Sequence, residues 1–268
     1  MKKLFAALLA LMMISGCTST TTTTTTEAVG EDMLATIQSK GEMVVALEGV
    51  YAPWNYHDAD TDELVGYDVE VAKLVGEKLG VNVRFEECPW DSIFAGIDSG
   101  RYDMACASVT VTEERQQKYD FSDGYAFMKT VVIVAEDNND ITKMEDLAGK
   151  KTANTLSSTY SEIAESYGAE TIGVDDLEQT IEVVKTGRVD ATLNADVTFY
   201  DYMNVHPEAP VKIACSTDEA EMVAIPVLKG ENSASFLEAV NNALAELADE
   251  GKLTELSMKY FGGDISHK

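Results

Sequence analysis

An arginine that follows small hydroxyl residues is the feature of this sequence best suited to bind an anion. In SVTVTEERQQ (residues 108–117), Ser108 and Thr110 precede Arg115, which stands at the start of a predicted helix. A guanidinium is always charged and presents several N–H donors in a fixed arrangement, so it can bind an anion. The chain also has 47 acidic residues against 20 basic ones, so Arg115 could equally be a solvated helix charge. Both interpretations remain open at this point.

Further side chains that could contact a ligand follow other apolar runs. Glu48, Tyr51 and Trp54 come after one run and Trp90 after another, although aromatic residues in such places often only pack in a core. Ser158 and Thr159 precede a predicted helix, where free N–H groups suit an anion but where helix capping alone would explain them.

The remaining chemistry-bearing residues do not predict a site. Asp68 lies near a helix start, where a carboxylate complements the helix dipole, and we do not assign it to the site. Cys106 lies in an apolar run and is expected in the core. The cysteines and the three histidines show no metal-ligand spacing, and no metal or cofactor is expected.

Strand-like and helix-like segments alternate from about residue 43, which is typical of parallel strands joined by helical crossovers. The helix-like segments include GYDVEVAKLVGEKLG and DSIFAGIDSG, which end at glycines. The predicted strands are 43–47, 83–86, 104–108, 131–135, 189–194 and 222–228, and the other predicted helices are 161–168, 175–187 and 233–250.

One pattern occurs twice and predicts two similar α/β lobes. DSIFAGIDSGRYDMACA and LEQTIEVVKTGRVDATL both contain a helix, then Gly-Arg-x-Asp, then a strand. Gly100 and Gly187 are expected to end the two helices in a left-handed conformation. Ligands bind beyond the carboxyl ends of strands in open α/β sheets, so two facing lobes would form a shared cleft.

The composition excludes some partners. At 268 residues with a formal net charge of −27, the chain is long enough for two lobes and would be repelled by nucleic acid and by anionic membrane surfaces.

The N-terminus has the features of an export signal. Lys2 and Lys3 precede an apolar run that is too short to span a membrane, and the run ends in ISGC at Cys17. This pattern predicts a lipoprotein signal peptide over residues 1–16 and lipidation of Cys17, with a plain secretory signal as the alternative. A threonine-rich tether is expected over 17–36, because this stretch has nothing to bury.

Several stretches together resemble the family-3 extracytoplasmic solute-binding proteins, the polar amino-acid receptors of ABC importers. The matching stretches are VYAPWNY, ELVGYDVEVAKLVGEKLG, WDSIFAGIDSGRYD, SVTVTEERQQKYDFSDGY, KMEDLAGKK, TGRVDATLNAD and GKLTELSMKYFGGD. The resemblance implies a type II periplasmic-binding-protein fold of two lobes, each a mainly parallel sheet flanked by helices, joined by two hinge strands. Residues 37–127 and 223–268 would form lobe 1, and residues 128–222 lobe 2.

The resemblance also assigns roles to the candidate residues. Arg115 would bind the ligand carboxylate with help from Ser108 and Thr110, and Ser158 and Thr159 would contact the ligand from the second lobe. The other expected contacts are Tyr51, which covers the ligand, Trp90 and Glu48, while Trp54 is expected to pack.

The acid that takes the α-amino group is displaced in this sequence. Many family members have Asp directly after LN, where this chain has Ala195, followed by Asp196. Either Asp196 reaches the cleft or Glu48 replaces it. Asp196 could instead be a helix cap.

The implied function is a lipid-anchored extracytoplasmic receptor that passes an L-amino acid, cystine or another polar one, to a membrane permease. We expect a monomer that is not an enzyme. The alternatives are a prephenate- or arogenate-type dehydratase on the same scaffold and a ligand sensor for a signalling partner.

Overall fold

The computed structural model of the protein describes residues 32–268. The predicted signal peptide over 1–16, Cys17 and most of the predicted tether lie outside the described residues. The last residues of the expected tether are helical, because the first helix begins at Met33. Asp32 caps this helix by accepting a hydrogen bond from the Ala35 N–H.

The described residues alternate between strands and helices throughout. The strands are β1 (Glu42–Leu47), β2 (Val50–Tyr51), β3 (Asn55–His57), β4 (Leu64–Val65), β5 (Asn82–Glu87), β6 (Met104–Ala105), β7 (Tyr119–Phe121), β8 (Ala126–Met128), β9 (Thr130–Ala135), β10 (Lys151–Asn154), β11 (Glu170–Gly173), β12 (Ala191–Ala195), β13 (Val211–Ser216), β14 (Glu221–Val223) and β15 (Pro226–Leu228). The helices are α1 (Met33–Lys40), α2 (Tyr67–Leu79), α3 (Trp90–Asp98), α4 (Glu113–Lys118), α5 (Thr159–Ser166), α6 (Leu177–Lys185), α7 (Asp196–Val205), α8 (Ala234–Asp249) and α9 (Lys252–Phe261), with 3₁₀ turns at Met144–Leu147 and Glu231–Ser233.

The first lobe is built on a parallel sheet of order β5-β1-β6. Helices α2 and α3 connect its strands, as the alternating sequence pattern predicts, and α8 and α9 pack against α2. Trp54 is fully buried against Tyr67 and Phe261, which confirms its predicted packing role, and Cys106 is a buried core residue as expected.

The second lobe contains a mixed sheet of order β11-β10-β12-β9-β13. Strands β11 and β12 run parallel to β10, whereas β9 runs antiparallel to both β12 and β13. The expected mainly parallel arrangement therefore holds for only part of this sheet. The reason is that β9 follows β8 directly and enters the sheet at the edge where β12 ends, since Thr130 pairs with Ala195. No helical crossover returns the chain to the opposite edge, as a parallel strand would require.

Two extended connections join the lobes. The chain passes from β8 to β9 through Lys129, and it returns from β13 to β14, which pairs with β8. A side-chain hydrogen bond ties the two connections together, because Thr130 Oγ1 donates to Glu221 Oε1 at 2.8 Å. The expected pair of hinge strands is thus present, and its two members are mutually braced.

Two predicted strands are shorter or divided in the structure. The strand expected over 104–108 contains only Met104–Ala105, because the chain turns at Ser108, which has a positive φ of 51°. The strand expected over 222–228 is two strands, β14 and β15, which pair with β8 and β7 respectively. The pairing partners are distant in sequence, so the apolar run alone could not reveal the division.

The recurring Gly-Arg-x-Asp pattern has the predicted geometry. Gly100 and Gly187 follow α3 and α6 with φ of 67° and 68°, the left-handed conformation that glycine adopts without strain. In residues 32–268, the structure contains no helix with the length and apolarity needed to cross a membrane.

Helix α3 is fixed by a close approach to Tyr102. A Cβ on Gly96 would overlap the Tyr102 ring, so the helix can pack this tightly only with glycine at that position. The same helix carries Trp90 and Phe94 on its first two turns. The position of these two rings therefore depends on the contact at Gly96.

Replacing Gly96 with alanine should destabilise the fold because the added methyl group overpacks a buried contact. We expect the free energy of unfolding to fall by about 1–3 kcal/mol in urea denaturation. Gly263→Ala is the matched control, since a methyl group added there would have no neighbouring atom within 4 Å. Equal stability of the two variants would contradict the proposed tight packing of α3.

Candidate functional site

A cavity between the two lobes brings together eight of the nine residues that the sequence analysis assigned to ligand binding. The carboxyl ends of β1 and β6 and helices α3 and α4 supply most of them, and the start of α5 supplies the rest. The eight predicted residues that line the cavity are Glu48, Tyr51, Trp90, Ser108, Thr110, Arg115, Ser158 and Thr159. This is the strand-end location expected for an α/β ligand site.

Arg115 is a buried cation at this cavity. Its side chain is 9% exposed, Nη1 donates to the Thr110 carbonyl at 2.9 Å, and the guanidinium lies 5.3 Å from the Trp90 ring centre. Phe94 lies below it at 5.4 Å. Burial lowers the pKa of Arg115, since the charged form loses hydration.

Arg115 has no acidic partner in the part of the chain that the structure describes. None of the ion pairs formed among residues 32–268 involves it. A desolvated guanidinium that has only a carbonyl and two ring faces as partners retains N–H donors for an anion. Its environment is therefore suited to a carboxylate supplied from outside the protein.

Glu48 lies in the same cavity, directly after β1. Burial, together with the negative charges of Asp68 and Asp91, raises the pKa of its carboxyl to about 7. A cation placed beside Glu48 would offset the loss of hydration and the repulsion by the two aspartates, and would favour the ionised form of Glu48. The cavity thus contains one group suited to a carboxylate and one suited to an ammonium.

Aromatic residues of the first lobe contact the second lobe across the cavity. The Tyr51 hydroxyl donates to Asn194 Oδ1 at 2.6 Å and lies 3.2 Å from the Tyr160 hydroxyl. Trp90 Nε1 donates to the Ser157 carbonyl at 3.4 Å. The two lobes therefore touch on both sides of the cavity, and the structure has a closed cleft.

Ser158 caps α5 and also lines the cavity. Its hydroxyl caps α5 by accepting from the Ser161 N–H at 3.3 Å, and the residue also lines the cavity. Thr159 is the first residue of α5 and is buried at the cavity wall. Capping therefore accounts for the hydroxyl of Ser158 without excluding a ligand contact.

Asp196 is the predicted contact that the structure does not bring to the cavity. Its Oδ1 accepts from the Val197 N–H at 2.8 Å and from the Lys129 N–H at 3.3 Å, and its own N–H donates to the Lys129 carbonyl. Helix α7 begins at Asp196, so the side chain turns from the end of β12 toward the hinge connection. Asp196 does not line this cavity, and its role as a ligand contact stays a prediction. It is not the cap of α7, because the N-cap is Ala195 and no side chain caps that helix start.

The sequence analysis missed most of the second-lobe wall. Asn154 and Asn194 lie at or near the ends of β10 and β12, where the strand-end rule could have identified them. Tyr160 lies within α5, and Asp176 and Leu177 form the start of α6. Only the tertiary packing of these helices places them at the cavity, so no local signal was available.

The sequence matches a known family over most of its length. Residues 43–263 match the model of the bacterial extracellular solute-binding proteins, family 3. The L-cystine-binding protein TcyA of Bacillus subtilis is 41% identical over 235 residues, which cover 88% of this chain and 87% of the relative.

Two solved structures resemble this chain to different extents. An ancestral arginine-binding protein bound to arginine is 34% identical, with a TM-score of 0.76 over 83% of this chain and 99% of the other. The L-cystine solute receptor of Neisseria gonorrhoeae, in its unliganded open conformation, is 39% identical with a TM-score of 0.60 over 88% and 99%. The lower structural similarity to the open form, despite its higher identity, agrees with a closed cleft here.

These relatives are named as amino-acid-binding proteins, and this chain is accordingly a binding protein and not an enzyme. The type II periplasmic-binding-protein fold, the interlobe cavity and the extent of the match agree with one another. The chain belongs to the bacterial extracellular solute-binding proteins of family 3.

Proposed function

We propose that this protein is a lipid-anchored extracytoplasmic receptor that binds an L-amino acid between its lobes and delivers it to the permease of an ABC transporter. L-cystine is the first candidate ligand, and another polar amino acid is the second. The lobes would be residues 37–127 with 223–268 and residues 128–222, and the receptor would act as a monomer.

The buried guanidinium of Arg115 carries this proposal. Every amino acid has an α-carboxylate, and two parallel N–H···O hydrogen bonds from Arg115 would compensate for the loss of hydration that burial imposes on the cation. The Trp90 ring fixes one face of the guanidinium, which restricts the direction from which the carboxylate can approach. Ser108 and Thr110, on the same wall, would supply further polar contacts.

Glu48 is the proposed partner of the α-amino group. Of the two acids considered from the sequence, Asp196 is engaged at the hinge, whereas Glu48 lines the cavity. The elevated pKa of Glu48 means that the free site holds a partly protonated carboxyl near neutral pH. A ligand ammonium would complete its ionisation and would be held by a charge-assisted hydrogen bond.

The charge of the cavity favours a ligand with no net negative charge. Within the described residues, Arg115 is the only basic side chain at this wall, and Glu48, Asp175 and Asp176 also line it. A second carboxylate, as in aspartate or glutamate, would have no cation of its own. The names of TcyA and of the gonococcal receptor support L-cystine as the first ligand to test.

Closure of the lobes would follow from binding because the ligand contacts both of them. Arg115 and Glu48 belong to the first lobe, and Ser158 and Thr159 to the second. A ligand that touches both walls binds the closed state more tightly than the open one and shifts the population toward it. The contacts of Tyr51 with Asn194 and Tyr160 would add to the stability of this state.

Exchange of Arg115 for lysine should abolish most of the binding, since an ammonium cannot reproduce the bidentate contact. In calorimetric titrations with the twenty amino acids and L-cystine, we expect the affinity of the best ligand to fall by roughly a hundredfold or more. The thermal stability of the unliganded protein should change little. Arg188→Lys, at an exposed arginine, is the control. Normal binding by Arg115→Lys would overturn the proposal.

The affinity should decrease as the pH falls below about 7, because protonated Glu48 must lose its proton to hold the ligand ammonium. Each pH unit below this pKa reduces the affinity by up to about tenfold. Titrations between pH 5.5 and 8.5 should show this dependence in the wild type and in the exposed-site control Glu113→Gln. Glu48→Gln should bind weakly at pH 8.5 and lack the dependence. A pH profile of Glu48→Gln that matches the wild type would exclude Glu48 as the partner.

The same shift determines how the stability of the unliganded protein varies with pH. Because the pKa of Glu48 rises on folding from 4.5 to about 7, the folded state binds more protons between these values. The contribution of Glu48 to the free energy of unfolding therefore decreases as the pH rises through this window. Glu48→Gln should remove that contribution in urea denaturation.

Lipidation of Cys17 is supported by the sequence, in which the charged and apolar segments of a signal precede the cysteine. Expressed in a bacterial host, the full chain should partition with the membrane fraction, and Cys17→Ser should release it. Cys88→Ser serves as the control at a cysteine outside the signal. Membrane retention of Cys17→Ser would count against a lipid anchor.

A further inference from the structure

A fully buried carboxylate lies behind the ligand cavity. Asp68, the second residue of α2, is 0% exposed, yet it forms no ion pair with a basic side chain of residues 32–268. Its oxygens accept from neutral donors instead: Tyr125 OH at 2.6 Å on Oδ1 and Asn55 Nδ2 at 3.0 Å on Oδ2. Burial raises the pKa of Asp68 to about 7, so the charged form is costly at this position and depends on these hydrogen bonds.

On one side, Asp68 acts on the backbone that follows β1. Asn55 is itself fully buried, and its Oδ1 accepts from the N–H groups of Glu48 at 3.1 Å and Gly49 at 2.9 Å. The contact of Asn55 Nδ2 with Asp68 determines which end of the amide points at these N–H groups. The orientation of the Glu48 backbone thus depends on Asp68 through a single intervening residue.

On the other side, Asp68 reaches the segment that follows β6. Cys106, the first residue after β6, has its Sγ 3.9 Å from Asp68 Oδ1 and 3.7 Å from the Tyr125 hydroxyl that donates to the same oxygen. Ser108 has a φ of 51°, an unfavourable conformation for a residue with a side chain, and it needs surrounding contacts to hold it. Two separate segments of the ligand wall therefore meet at one carboxylate.

We propose that Asp68 is a positioning residue of the binding site: through Asn55, its carboxyl group holds the backbone of Glu48 and Gly49 in the orientation in which Glu48 faces the ligand. The ligand part of this inference rests on the proposed amino-acid receptor function. Complementing the dipole of α2 would require no particular side-chain partners, whereas both oxygens of Asp68 have them.

The hydrogen-bond pattern explains why the residue is an acid. Asn55 Nδ2 can only donate, so an asparagine at position 68 keeps that contact only by turning its NH₂ group toward the Tyr125 hydroxyl, which must then give up its donated hydrogen bond and accept instead. The mismatch can be removed by exchanging the two residues. With Asn at 68 and Asp at 55, the amide donates to the carboxylate at 55, which still accepts from the Glu48 and Gly49 N–H groups.

The test compares the wild type with Asp68→Asn, Asn55→Asp and the double exchange, using L-cystine titration and amide hydrogen exchange of the unliganded proteins. Each single variant should bind at least tenfold more weakly and should show faster exchange at Glu48 and Gly49, the two amide groups that donate to Asn55. The double exchange should restore affinity to within about threefold and restore the exchange rates. Recovery in the variant that carries both substitutions would trace the effect to the contact between positions 55 and 68 and not to either substitution alone.

Tyr125→Phe provides a milder variant in case a single exchange does not fold, because it removes one donor and keeps the carboxylate. It should speed exchange at Glu48 and Gly49 at least twofold, because Asp68 then has one hydrogen bond fewer to fix its orientation toward Asn55. Wild-type exchange rates and affinity in Asp68→Asn, or a double exchange no better than the weaker single variant, would overturn the inference. If the wild type itself fails to bind any amino acid, the receptor proposal fails, while the exchange rates still decide the role of Asp68.

Discussion

The burial of one guanidinium without an acidic partner is the constraint on which this site depends. In a chain with more than twice as many acidic as basic residues, Arg115 is held by a carbonyl and two aromatic faces. Aromatic faces and a single carbonyl stabilise a cation without satisfying all of its N–H donors. The closed cleft therefore contains a cation whose remaining N–H donors can bind an anion.

The rest of the cavity follows from this arrangement. No acid among residues 32–268 forms an ion pair with Arg115: Glu48 lines the cavity just after β1, and Glu221 accepts a hydrogen bond from Thr130 at the hinge. Asp196 is likewise used on the hinge connection at Lys129, one residue after the position where a ligand-binding acid was expected. Glu221 and Asp196 are therefore engaged at the hinge, and the Arg115 guanidinium retains N–H donors for an anion.

The sequence predicts the lobes and the first-lobe half of the site well, because these depend on local signals. Alternating periodicity identifies the strands, and residues just after them, such as Glu48 and Tyr51, fall at the cavity by the geometry of parallel sheets. The resemblance to the family was needed to connect Arg115 with a carboxylate. The division between β14 and β15 depends on pairing with strands about a hundred residues earlier. Tyr160 and the start of α6 reach the cavity only through tertiary packing. Asp196 turns toward the hinge because α7 begins at that residue.

A crystal structure of the protein with a bound amino acid tests the central claim most directly. The account predicts that the α-carboxylate lies within about 3 Å of two guanidinium nitrogens of Arg115, and that the α-amino group is within hydrogen-bond distance of Glu48. A ligand whose carboxylate is held elsewhere, with Arg115 still bonded only to the Thr110 carbonyl, would contradict it.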